Sequence, residues 1–249
     1  MMKHEAPQSL SNDLNSIETE TRQTFFAHIT PETMQVLLDN LGMTDWQGFA
    51  ESWERLGMDL YMADGGRYRR RRYASFALSD NTITRKKHQP HYQSRDYNAL
   101  NGGIERWFDP IEDTIADHSV MHAVLSLVHR LAVDLTSTTQ RPDTWHAEVH
   151  QFRIEAQPGR LGQPTPEGRH RDGVDWVLVL MVRRENVNSG ETTIYDLQGR
   201  KIGGFTLSAP MDAAFVNDNQ AYHGVTPIHP VDDNKPAFRD VLVVTLRHQ

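Results

Sequence analysis

His170-Arg171-Asp172-Gly173-Val174-Asp175 leads straight into Trp176-Val177-Leu178-Val179-Leu180-Met181-Val182, the longest apolar run in the chain. In an extended strand, residues two apart point to the same side, so His170 and Asp172 share a face. A run apolar on both faces belongs to a strand covered by an opposing sheet on one side and by helices on the other. The His-x-Asp pair therefore falls where a buried strand begins, near the mouth of a barrel or sandwich, a usual place for ligand sites. Working outward, His223 opens a second apolar strand, Tyr222-His223-Gly224-Val225, and Arg239 opens a third ahead of Val241-Leu242-Val243-Val244.

The texture around this stretch is β from Pro142 onward. Residues 148–154 alternate, 192–196 are short, and Phe205-Thr206-Leu207 follows Gly203-Gly204. Residues 211–216, 222–228 and 241–246 complete a series of short strands separated by Gly, Pro and Asn-Asp turns, the pattern of a sandwich or jelly roll. Upstream the pattern is helical. Thr30-Pro31-Glu32-Thr33 supplies an N-cap with proline at the first helical position. Met34, Leu37 and Leu38 then recur toward Leu41, and Gly42 offers a stop. A second amphipathic segment, 46–56, carries Trp46, Phe49, Trp53 and Leu56 and ends at Gly57. The clearest helix is 115–135, with Val120, Leu125, Val128, Leu131 and Leu135 in phase. Residues 67–78 read as a strand and 79–90 as a polar loop. Residues 1–20 are polar without periodicity and read as a flexible leader. The expected fold class is α+β: a double-stranded β-helix (jelly roll, cupin-like) core at about 145–249 under an N-terminal helical layer at about 21–140, with 21–249 forming a single domain.

Composition narrows the chemistry. The 249 residues are 38% hydrophobic and 24% charged, as in an ordinary globular protein, and they include no cysteine. That excludes disulfides, thiolate metal sites and cysteine nucleophiles, and leaves His, Asp and Glu as strong ligands for iron, manganese or zinc. A net charge of −7 gives no electrostatic footprint for nucleic acid. The basic run Arg67-Tyr68-Arg69-Arg70-Arg71-Arg72-Tyr73 accordingly reads as solvent-facing or paired with the acidic excess. The polar N-terminus lacks the apolar run of a secretory signal, and no stretch has the length of a membrane span. The expected location is the cytoplasm.

His-x-Asp followed by a distant His is the ligand set of the facial triad of non-haem Fe(II) oxygenases. Three protein ligands on one face of an octahedral ion leave three positions open. His170, Asp172 and His223 are therefore the candidate metal ligands and catalytic residues. Iron is preferred over zinc because zinc hydrolysis would more often show a Glu base, as in His-Glu-x-x-His, and no such sequence occurs. Arg239, at the start of an otherwise buried strand, needs a partner, and Asp240 points to the opposite face. The distal carboxylate of 2-oxoglutarate would satisfy it bidentately. His118 and His122, at i and i+4 on the predicted helix, have metal-compatible spacing but no acid partner and read as surface residues. His146 and His150 share a strand face, with His150 near the site or in a hydrogen-bonded core.

The motifs extend beyond the triad. Tyr92-Gln93-Ser94, Tyr97-Asn98, Gly102-Gly103, Arg106 and Phe108 precede the barrel, and His150-Gln151 with Arg153 marks its first core strand. His223 with Val225-Thr226-Pro227, and Ala237-Phe238-Arg239-Asp240, close it. On these motifs, over roughly residues 65–249, the sequence resembles the bacterial 2-oxoglutarate/Fe(II) dioxygenases of the L-isoleucine dioxygenase family, which hydroxylate free L-amino acids. It departs from them in residues 157–168 and in the polar end Arg247-His248-Gln249. The resemblance implies Fe(II) held by His170, Asp172 and His223, 2-oxoglutarate anchored by Arg239, O2 as oxidant and ascorbate as an in vitro reductant. It implies hydroxylation of an aliphatic carbon with release of succinate and CO2. The implied substrate is a free isoleucine-, leucine-, valine- or methionine-like amino acid, with no nucleic-acid or membrane partner. Gln151, the cosubstrate candidate, and Tyr97 would orient cosubstrate or substrate. Arg153 and Arg106, alongside one arginine of the 67–72 run, are candidates for the substrate carboxylate. Trp176, on the strand parity of the metal pair, is a candidate pocket wall. The same chemistry on a modified or carrier-bound amino acid, and a non-catalytic cupin-like sensor of metal and 2-oxoglutarate, are the alternatives. The oligomeric state is not legible in the sequence.

Overall fold

The computed structural model describes residues 8–248 apart from 81 and 99. The N-terminal half contains α1 (Gln8–Thr24), β1 (Phe26–Ile29), α2 (Pro31–Asn40), α3 (Trp46–Glu51), β2 (Gly57–Met58), β3 (Arg69–Ser79), β4 (Thr82–Arg85), α4 (Asp113–Ala116) and α5 (Ser119–Leu135). The remainder is β: β5 (Trp145–Ala156), β6 (Trp176–Glu185), β7 (Val187–Ser189), β8 (Thr192–Asp196) and β9 (Lys201–Phe205). After these come β10 (Ala213–Asn217), β11 (Ala221–Val225), β12 (Ile228–Pro230) and β13 (Ala237–His248).

An eight-stranded antiparallel sheet runs in the order β1-β10-β6-β13-β5-β3-β2, with β4 paired to β3. The smaller layer comprises β11-β8-β9 and the pair β12-β7. The arrangement is the jelly roll that the strand spacing predicted.

The period of two decides what each face does. One face of the large sheet carries Phe76, Val149, Leu178, Leu180, Val244 and Leu246, which pack with Leu37, Val124, Leu127 and Val128 of α2 and α5 into the main core. Truncating one of these leucines to alanine costs about 2–5 kcal/mol, from lost transfer energy and the cavity left behind. The other face carries Arg69, Arg71, His150, Val177, Val179 and Arg239, and it lines a cavity.

The helical layer begins earlier than the sequence suggested. Residues 8–20, read as leader, belong to α1, which buries Leu10, Leu14 and Ile17 along one stripe. Three apolar residues at i, i+4 and i+7 among polar neighbours make a narrow face, enough for a helix docked on others. Residues 1–7 of that leader lie outside the described residues. Thr30 caps α2 by accepting the Thr33 N–H, with Pro31 at its first turn, as expected. The helix expected over 115–135 is interrupted at Asp117-His118, where the His118 ring accepts the Val120 N–H and caps α5. The loop expected over 79–90 contains β4. Among the described residues, no helix is long and apolar enough to cross a membrane.

Candidate metal centre and active site

His170 and His223 pair as a short antiparallel bridge, each backbone N–H donating to the other's carbonyl at 2.9 Å. This sets the two imidazoles side by side, ring centroids 4.5 Å apart. Asp172 completes the group: its carboxylate oxygens lie 3.6 Å from Nε2 of His170 and 3.6 Å from Nε2 of His223. Those separations are too long for hydrogen bonds. All three ligand atoms nevertheless fall within 4.8 Å of one another, two nitrogens and an oxygen enclosing a common point. The donor set suits Fe(II). His170 Nδ1 lies 3.1 Å from the Gly168 carbonyl, a contact that turns Nε2 toward Asp172 in the way backbone carbonyls orient metal-binding histidines.

The electrostatics fit a cation site. Burial opposes the charged form of His170, but the Asp172 and Glu167 carboxylates outweigh it and raise its pKa to about 9. Burial together with His170 pushes His223 down to about 4. Burial opposes the Asp172 carboxylate too, yet the two imidazoles hold it down at about 2. One neutral imidazole, one anion and one imidazole held protonated only by carboxylates make up a site ready to exchange a proton for a metal ion.

The same cavity is lined by Arg239, 3% exposed, with Nε and Nη1 lacking a hydrogen-bond partner among the described residues. Burial and the neighbouring Arg184 lower its pKa to about 10. A buried guanidinium with free donors is a receptor for a carboxylate. The cavity between triad and arginine has a volume of about 330 Å³, and Val177, Val179, Val241 and Val243 supply an apolar wall.

A third group of charges lines the cavity through β3. The basic run splits by strand parity. Arg70 and Arg72 face outward to Glu155 and Glu112, whereas Arg69 and Arg71 are buried and share Asp59. Arg71 lies between the rings of Phe108 and Phe152, 3.5 and 4.4 Å from their centroids. It also donates to His150 Nδ1 at 2.7 Å. A guanidinium can only donate, so His150 carries its proton on Nε2 and is neutral. Burial and Arg71 hold its pKa well below the usual histidine range. Glu148 accepts from Tyr73 and His91 at 3.0 and 2.9 Å. His91, Glu148 and His150 also meet the spacing of a metal site. Their ligand atoms are already engaged with one another or with Arg71 and Tyr73, so they read as a polar network under the pocket.

Of the residues singled out in the sequence, His170, Asp172, His223, Arg239, Arg106 and Tyr97 line this cavity. Gln151, Arg153 and Trp176 do not. On β5 the even-numbered Glu148, His150, Phe152 and Ile154 face the cavity, so Gln151 and Arg153 face the helical layer. Gln151 donates to Ser52 Oγ at 2.8 Å. Arg153 makes a bidentate pair with Asp240, at 2.7 and 2.8 Å, and reaches Glu54. Trp176 donates to Thr136 and stacks on Phe215 in the main core. Its shared parity with Asp172 is lost because Gly173, at φ +78°, turns the chain between metal pair and strand.

Sequence reasoning offered one arginine of the 67–72 run without singling out Arg69 or Arg71, and it missed Asp59, His91, Glu148, Glu167 and Asp218. The alternation within the arginine run was a signal for the first two. Glu148 lies on the strand face that His146 and His150 share, and the rest come from loops that no local pattern marks.

Comparison with known proteins agrees with this geometry. The family model described as 2OG-Fe dioxygenase matches residues 50–245. The chain is 25% identical over 160 residues to L-isoleucine-4-hydroxylase of Bacillus thuringiensis, covering 64% of this chain and 65% of that protein. It is 24% identical over 221 residues to 3(1)-hydroxy-L-isoleucine 4-dioxygenase of Pantoea ananatis, covering 87% of this chain and 86% of that one. The crystal structure of a bsmA homolog from Methylobium petroleophilum PM1 superposes with a TM-score of 0.85 at 34% identity, over 94% of this chain and 93% of that one.

Proposed function

The chain belongs to the 2OG-Fe dioxygenase family, and from this we propose that it hydroxylates a free aliphatic L-amino acid with Fe(II), O2 and 2-oxoglutarate, releasing succinate and CO2. His170, Asp172 and His223 would hold the metal, and Arg239 would take the distal carboxylate of 2-oxoglutarate. Oxygen activation and cleavage of an aliphatic C–H bond are the chemistry that Fe(II) would supply there. The protein's own part is position and dryness. The valine wall excludes water and receives an aliphatic side chain, while buried arginines fix the anionic ends of both ligands.

The observation that carries this reading is that the triad and the unpartnered Arg239 line one cavity of about 330 Å³. That volume lies at the small end of ligand pockets, which suits a cosubstrate and a compact amino acid. The relatives' names, L-isoleucine-4-hydroxylase and 3(1)-hydroxy-L-isoleucine 4-dioxygenase, support an amino-acid substrate rather than a carrier-bound one or a sensor role. Arg106 and Tyr97 are the substrate contacts in this reading. The helical layer, α1 included, and the jelly roll work as one domain in the cytoplasm.

The test is an aerobic screen with Fe(II), ascorbate and 2-oxoglutarate against all free L-amino acids, recording succinate and any product that gains one oxygen in mass. An aliphatic amino acid should be hydroxylated. Succinate formed with no modified amino acid would redirect the substrate assignment.

A further inference from the structure

Arginines crowd this cavity, and Arg69, Arg71, Arg106 and Arg239 each leave at least one buried donor unpaired among the described residues. Arg69 pairs with Asp59 at 2.7 Å, and Arg71 shares that carboxylate and bonds His150. Arg239 serves the cosubstrate end. Arg106 differs from Arg69 and Arg71 in having no carboxylate or imidazole partner among the described residues: it is 2% exposed, and both its Nε and its Nη2 are unpaired. An opposite charge in the same condition lines the same cavity. Glu167, three positions before His170 on the segment leading to β6, has a side chain only 11% exposed. Its Oε1 lies 3.5 Å from His170 Nε2, and its buried Oε2 meets no hydrogen-bond donor among the described residues.

Holding a carboxylate and a guanidinium out of water with free hydrogen-bonding atoms is costly for each. The two atoms sets are left open rather than joined to one another. A single small molecule bearing both a cation with N–H donors and a carboxylate would satisfy them together. An α-amino acid zwitterion carries that charge pair on a single carbon.

We propose that Glu167 accepts the α-ammonium group of the substrate while Arg106 binds its α-carboxylate. This deepens the hydroxylase reading above and rests on it. The pair makes the site select an amino acid over the corresponding 2-hydroxy acid, which offers the same carboxylate and side chain but no cation.

The experiment compares native protein with Glu167→Gln. KM and kcat are measured for L-isoleucine, L-leucine, L-valine and L-methionine and for their 2-hydroxy acid counterparts. Fe(II) and 2-oxoglutarate binding are titrated in parallel. The substitution should raise KM for the amino acid by about 10–100-fold, the worth of a charge-assisted hydrogen bond in a dry site. It should leave KM for the hydroxy acid and both titrations nearly unchanged. Should Glu167→Gln not fold, Glu167→Asp carries the same comparison with the charge retained and displaced. An unchanged preference for the amino acid, or an equal loss on both substrates, overturns the inference. Lost Fe(II) binding also overturns it, by assigning Glu167 to the metal. If the native protein turns over no amino acid at all, the hydroxylase reading falls first and this inference falls with it. Native turnover with an indifferent Glu167→Gln removes the inference alone.

Discussion

The backbone N–H of Asp172 donates to Oδ1 of Asp218 at 2.9 Å, and the N–H groups of Gly173 and Val174 donate to Oδ2 of the same carboxylate at 2.8 and 3.1 Å. One buried side chain just past β10 thus fixes the three residues that carry the Asp172 carboxylate toward the two histidines. Gln93 adds a bond to the Asp172 carbonyl at 3.0 Å. Asp172 is placed mainly through its backbone, while its carboxylate meets the two imidazoles and, at 3.5 Å, the Gln93 amide.

Replacing Asp218 by alanine should therefore lower Fe(II) affinity by about 10–100-fold, the usual effect of losing an outer-shell support. Asp218→Asn, which keeps one acceptor oxygen, should lose less. Fe(II) titration of the folded variants reads this directly, and unchanged affinity would mean that other contacts hold the segment.

Gly173 should tolerate no side chain. At φ +78° it sits in the left-handed region, and an added Cβ would lie 2.5 Å from the Tyr97 ring. Gly173→Ala should cost about 1–3 kcal/mol of stability from backbone strain. It should also weaken Fe(II) binding, because Asp172 is the preceding residue. A melt combined with a metal titration would show both losses, and a native Tm would refute the strain.

Arg239→Ala separates binding from folding. Losing a bidentate charge-assisted pair should raise KM for 2-oxoglutarate on the order of 100-fold. Its effect on Tm should be small or favourable, since a buried guanidinium with unpartnered donors is removed. Arg239→Lys should recover only part of the affinity, because an ammonium cannot form the planar fork. Equal KM values in native and variant proteins would assign the arginine to structure.

Arg153 should behave in the reverse way. Its truncation leaves Asp240, fully buried, without its bidentate partner, at a cost of about 3–5 kcal/mol. The amino-acid KM of the folded fraction should not move. A selective rise in that KM would restore Arg153 to the substrate pocket.

This contrast marks where the sequence was legible. The triad could be read because a His-x-Asp pair stands just ahead of the longest apolar run and His223 lies within a short apolar strand, and Arg239 because a charge heading an apolar strand lacks a local partner. The strand series could be read because Gly, Pro and Asn-Asp turns bound each apolar run. Gln151 and Arg153 were misplaced because a strand's period says which residues share a face and not which face looks inward. That choice is made by α2 and α5 covering one side of the sheet. Trp176 was misplaced because a single glycine changed the phase. Glu167 and Asp218 reach the site through loop geometry that no periodicity encodes.

The pH dependence of stability should include a contribution from Glu54. The bidentate contact with Arg153, opposed by partial burial and aided by Arg183, lowers its pKa from the ordinary 4.5 to about 2. A depressed carboxylate stabilises the fold above its ordinary value and loses that contribution as pH falls from 4.5 toward 2. Glu54 is half exposed, so the effect is modest. Melts at pH 6 and about pH 3 should show a smaller difference between native protein and Glu54→Gln at the acid end than at the neutral end. The opposite ordering would contradict the ion-pair assignment.

The central claim, that His170, Asp172 and His223 drive hydroxylation of a free amino acid coupled to 2-oxoglutarate, is tested most directly by coupling stoichiometry. Succinate and hydroxylated amino acid are quantified together for native protein and for His223→Ala on the best substrate of the screen. The account predicts equal amounts of the two products from native protein, and neither product together with weakened Fe(II) binding in the variant. Full turnover by His223→Ala, or hydroxylation that proceeds without succinate, would contradict it.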